Sequence, residues 1–156
     1  MIQKQKQILL CRILLVLNLT LIWGNSLLNG MESGQMSGGI MEFFMELLRI
    51  PADFSDVVHL IIRKLAHLTE FACLSALICW HLRLVNEKQV HQICLAVLLA
   101  MAAALMDETI QLYTPDRGPS LVDVWIDTLG AVLGVTAVQL GYHLKKKNKT
   151  LFWRKS

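Results

Sequence analysis

The stretch "RKLAHLTEF" places Arg63, Lys64, His67 and Glu70 at the mouth of an apolar run. Arg63, His67 and Glu70 are four and three residues apart, so a helix carries them on one side. A second group, "MDETIQLY", holds Asp107, Glu108 and Gln111, and a third, "PDRGPSLVDVWID", holds Arg117, Asp123 and Asp127. These residue types do proton transfer and anion handling. His67 would act as general base or nucleophile with Glu70 or Asp107 orienting its ring, while Glu108 or Asp123 positions water or an acceptor. Arg63, Lys64 and Arg117 would clamp a phosphate, and Gln111 and Asp127 would bind further substrate groups. A divalent ion on Asp107, Glu108 and Asp123 is the weaker variant. One histidine and scattered carboxylates match no tight ligand spacing, so neither metal nor cofactor is expected.

The elements that must hold these groups are strongly apolar. The chain has 156 residues, 54% hydrophobic and 17% charged, with mean hydropathy +0.49, which points to an integral membrane protein. Apolar runs cover residues 8–28, 65–82, 90–106 and 121–140. Each approaches the ~20 residues a helix needs to cross ~30 Å of hydrocarbon, and none alternates with the period of a barrel strand. The expected fold is all-α, a bundle of four transmembrane helices forming a single membrane domain over residues 1–156. Lys4 and Lys6 ahead of the first run suggest a signal peptide. However, the run exceeds the usual apolar core of about 7–15 residues, and "SLLNG" lacks a small-x-small cleavage pattern, so a retained helix is expected.

Charge orients the bundle. The face with both termini and the 83–89 loop holds eleven of the fifteen Lys and Arg against Glu87 alone, leaving +10. The opposite face holds four cations against eleven acids, leaving −7, and the two make the net +3. Cytoplasmic loops retain Lys and Arg, so both termini are expected inside and the ionisable groups at the outer surface of a bacterial cytoplasmic membrane. The tail "KKKNK" reads as a topology anchor near anionic lipid, not as a nucleic-acid patch. Trp23, Tyr113 and Trp125 fall near outer helix ends, Trp80 and Tyr142 near inner ones, as interfacial belts require.

The connection between the first two runs has two halves. "NGMESGQMSGG" is a Gly/Ser-rich linker, and "IMEFFMELLRI" sets Ile40, Phe43, Phe44, Leu47 and Leu48 on one side of a helix stopped by Pro51. A short amphipathic helix on the outer membrane surface is expected there, with a further helix starting near Ser55. Gly130 and Gly134 form a GxxxG spacing that suits close helix packing. Asp123, three residues after Ser120, suits the capped start of the fourth helix. Cys11, Cys73, Cys79 and Cys94 lie in helices without CxxC or CxxH spacing and read as packing residues.

A charge at the bilayer centre costs about 2.5–3.5 kcal/mol on the lenient insertion scale, so these groups must pair or line a hydrated pocket. Asp107 and Glu108 near a helix C-terminus are the hardest to excuse, because the dipole there disfavours acids.

"RKLAHLTEFACL" followed by "DETIQLYTPDRGPSLVDVWIDTLGAVLG" resembles the VanZ family of bacterial membrane proteins over about residues 8–143, leaving a basic tail over 144–156. That family pairs a basic-x-x-His-x-x-Glu/Tyr helix start with Asp-Glu-x-x-Gln, a Pro-Gly-Arg loop and Asp-x-x-x-Asn-x-x-Gly. Asp116 stands where Gly is usual, and Asp127 where Asn is common. The resemblance implies a cell-envelope role, its founding member being associated with teicoplanin-type glycopeptide resistance. Two functions fit the residues: an enzyme modifying a lipid-linked cell-wall precursor or phospholipid headgroup, or a non-enzymatic binder shielding such a lipid or an antibiotic. A proton-coupled carrier fits less well, since no ionisable path reaches the cytoplasmic side.

Overall fold

The computed structural model describes residues 2–28, 38–39, 42–43, 45–47, 49–85, 88–115 and 117–153. Among them four long helices account for nearly all the structure: α1 (Ile2–Leu27), α2 (Ser55–Leu84), α3 (Gln89–Leu112) and α4 (Leu121–Trp153). All four are long and apolar enough to cross a membrane, α4 over Leu121–Lys147. The helix expected near Ser55 begins there, led in by a 3₁₀ turn over Ala52–Phe54 just after Pro51. Pro115 and Pro119 bracket the break between α3 and α4, where a missing N–H and fixed φ end one helix and permit the next.

The expected surface helix falls largely outside the described residues, since 40, 41, 44 and 48 are among those not covered. The covered residues 42–43 and 45–47 are helical, and Phe43 and Leu47 are exposed.

The four helices run alternately up and down, so Leu27, Ser55, Leu112 and Leu121 come to one end and Ile2, Leu84, Gln89 and Trp153 to the other. The α2–α4 interface is the most extensive. Its closeness comes from the GxxxG glycines. A Cβ at Gly130 would overlap the Leu68 carbonyl, and one at Gly134 the Ala72 carbonyl and the Ser75 hydroxyl. Ser75 donates to the Ala131 carbonyl at 2.7 Å, satisfying a polar group at the dry contact. The core is built from Ile22, Phe71, Leu74, Ala100, Ala104 and Ala131, with Cys79, Ala96 and Val135 nearer the termini. Cys11 and Cys79 are buried and all four cysteines are free, in keeping with a packing role for the buried pair.

One stripe of α3 positions the polar groups. Ala96, Ala100 and Ala104 recur every four residues on the buried face, and the same face continues into Asp107, Glu108 and Gln111, all buried. Helix periodicity therefore carries two acids and an amide into the bundle, where alanine would otherwise sit.

Candidate functional site

The ten polar residues singled out in the sequence lie at one end of the bundle, on α2, α3, α4 and the loop before α4. Arg63 and Lys64 both reach Asp123, Arg63 at 3.8 Å and Lys64 in direct contact. Asp123, in the first turn of α4 where the helix dipole favours an acid, is thus also a cation partner across the α2–α4 interface. One turn deeper, His67 Nδ1 lies 3.8 Å from Asp127 Oδ1, and the Asp127 side chain is fully buried. That separation is too long for a hydrogen bond, so the two groups are close neighbours whose facing polar atoms stay without a hydrogen-bond partner. The two contacts repeat because 63 and 67, like 123 and 127, are one turn apart on facing helices.

Glu70 turns its carboxylate toward α1. Three residues past His67 is about 300° of helix, leaving Glu70 roughly 60° round the axis toward α1. There its Oε1 accepts from Asn25 Nδ2 at 3.2 Å.

On α3, Asp107 Oδ2 accepts from Gln111 Nε2 at 2.9 Å, and Gln111 also donates to Ser26 Oγ at 3.2 Å. Glu108 Oε2 accepts the Ser120 backbone N–H at 2.6 Å. An acid disfavoured by the C-terminal end of its own helix is thereby placed at the positive N-terminal end of α4. Arg117 Nη2 donates to the Asn25 carbonyl at 2.9 Å, and Thr114 Oγ1 lies 3.0 Å from the Ser26 carbonyl. Both groups hold the last turn of α1, whose carbonyls lack helical partners. Burial first, then Arg63, draws the Arg117 guanidinium below its ordinary range, while Asp107 and Glu108 oppose the shift. It nevertheless stays a cation.

Asn25, Ser26 and Thr114 were not among the expected site residues. The polar "NS" closing the first apolar run was the signal available for them.

Among the described residues, seven buried polar atoms at this end have no hydrogen-bond partner: His67 Nδ1, Asp107 Oδ1, Glu108 Oε1, Gln111 Oε1, Arg117 Nε and both carboxylate oxygens of Asp127. Five of the seven are acceptor oxygens. A dry interior penalises each one, so such a set is suited to a group that brings hydrogen-bond donors: water, a hydroxyl or an ammonium. No three His, Cys, Asp or Glu side chains among the described residues are grouped to hold a metal ion. Asp107, Glu108 and Asp123, the weaker metal set, are each engaged by another group: Gln111, the Ser120 N–H and the α2 cations respectively.

The chain matches the VanZ/LLP1 family over residues 10–142, most of its length, and belongs to that family. With its four apolar helices it is a multi-pass membrane protein. No curated protein and no solved structure matches it significantly.

Proposed function

We propose that this VanZ/LLP1 chain acts at the outer face of the bacterial cytoplasmic membrane on the headgroup of a phospholipid or a lipid-linked cell-wall precursor. The observation that carries the reading is the set of donor-seeking oxygens of Asp107, Glu108, Gln111 and Asp127 gathered beside His67 at one end of the bundle. Arg63 and Lys64, about a third exposed, form the rim, and a phosphate approaching them competes with Asp123 for their charge. The headgroup's hydroxyls or amine then meet the buried oxygens. His67, with Asp127 beside it, removes a proton from the attacking group, with Asp107 and Gln111 fixing the acceptor. Arg117 and Glu70 join α1 to the rim and keep it in register. A contribution to glycopeptide resistance of the teicoplanin type follows if the modified lipid belongs to the wall pathway.

A binder that only shields the headgroup would use the same oxygens without proton transfer. Lipid extracts from cells with and without the protein separate the two. The expected result is an altered headgroup or wall intermediate that disappears in His67→Ala and in Asp107→Asn, with membrane abundance unchanged in both. Unaltered lipids together with lowered teicoplanin susceptibility would establish the binder instead. Lost abundance in each single variant, restored in the double, would reduce the cluster to a structural network.

A further inference from the structure

The opposite end of the bundle carries a different feature. Between the last turns of α2 and the middle of α4 lies an apolar groove of about 390 Å³, whose lining includes Trp80 on one side and Ala137, Gly141 and Tyr142 on the other, with Lys145 also lining it. Its depth comes from small residues. A Cβ built on Gly141 meets nothing within 4 Å, so the groove is open where the glycine stands. Arg83 lies over the Tyr142 ring at 3.5 Å to the centroid, fixing a second cation beside the groove.

The groove's height in the membrane follows from helix rise. At 1.5 Å per residue, Gly141 is about 30 Å and Lys145 about 36 Å along α4 from Leu121, so an apolar floor at the edge of the hydrocarbon leads to a cation at headgroup level. Trp80 and Tyr142 are the aromatic types that sit at this boundary. Lys145 is exposed and has no acidic partner among the described residues. A zwitterionic lipid would bring Lys145 a phosphate together with its own compensating cation, whereas an anionic lipid brings net charge of the complementary sign.

We propose that this groove is a binding site for one anionic phospholipid of the leaflet on the terminal side, its acyl chain lying over Gly141 against Trp80 and its phosphate on Lys145, while Arg83 stays engaged with the Tyr142 ring. The site is separate from the polar cluster and does not rest on the function proposed for it.

The test reconstitutes the full-length protein in phosphatidylcholine vesicles doped with phosphatidylglycerol or phosphatidylcholine brominated on the acyl chain, and reads quenching of Trp80 as the difference between wild type and Trp80→Phe. Brominated phosphatidylglycerol is expected to quench at about five-fold lower mole fraction, the effect of one lysine at an anionic surface. Lys145→Gln should bring the two lipids level, and Gly141→Phe, whose Cβ meets nothing within 4 Å and whose ring would occupy the groove, should remove quenching by both. Equal quenching of wild type by the two lipids overturns the proposal, as does a preference that survives Lys145→Gln. Absence of quenching with either lipid also overturns it and assigns the groove to another occupant, such as a helix of a second copy.

Discussion

Glu108 lies near the end of α3, where four carbonyls point outward and the helix dipole repels a carboxylate. What makes the position tenable is the Ser120 N–H, an orphan donor at the start of α4 that Glu108 accepts at 2.6 Å. The interaction resembles an N-cap supplied by a neighbouring helix, and it joins the ends of α3 and α4 across a loop containing two prolines. Glu108→Ala should therefore cost about 1–2 kcal/mol, while Glu108→Gln, which keeps an acceptor oxygen, should lose less than half of that. Thermal unfolding of both variants in detergent by helical circular dichroism measures the difference, and an alanine variant as stable as wild type would refute the cap. The residue types of this site were legible in the sequence, because ionisable groups inside apolar runs stand out. Their division of labour was not. Glu108 as a cap, Asp123 as the partner of two cations and Glu70 turned toward Asn25 all depend on which helix lies opposite, and spacing along one helix does not encode that.

Each helix announces itself through its apolar run, since only a helix can satisfy its own backbone in hydrocarbon. The contact between α2 and α4 was also readable, from Gly130 and Gly134, because close approach of backbones needs a missing side chain. Gly134→Leu should destabilise the bundle by roughly 1–3 kcal/mol, the usual range for overpacking a tight contact, with the upper end favoured because the Ala72 backbone cannot swing aside. Gly24→Leu is the matched control. A Cβ there meets nothing within 4 Å, and leucine's better helix propensity should leave stability level or raised by about 0.5–1 kcal/mol. If both variants melt alike in detergent, the glycines on α4 are not what sets the helix separation. The polar end of α1 was the element least legible beforehand. Asn25 and Ser26 follow an ordinary apolar helix, and their importance arises only when Arg117 and Thr114 arrive from far along the chain to cover the last carbonyls.

At the scale of the whole molecule, the polar cluster and the lysine-rich tail lie at opposite ends of one four-helix bundle, an arrangement that follows from an even number of crossings. When the sequence is divided by its four apolar runs, eleven of fifteen Lys and Arg fall in the segments shared with the termini, and eleven of twelve acids in the others. Insertion holds basic segments on the cytoplasmic side while acids weigh little, so the expectation from this asymmetry is cytoplasmic termini and an outward-facing cluster. Single-cysteine labelling in a background without the four native cysteines tests it. Tyr113, at the end of α3 and 82% exposed, reports on the cluster end, and Lys88, just ahead of α3 and also exposed, reports on the terminal end. On intact cells an impermeant maleimide is expected to label Tyr113→Cys fully and to reach Lys88→Cys only after the membrane is permeabilised. The reverse pattern would put His67 and the buried carboxylates on the cytoplasmic side. The outer leaflet would then be out of reach, and the headgroup reading would have to be recast for lipids handled before export.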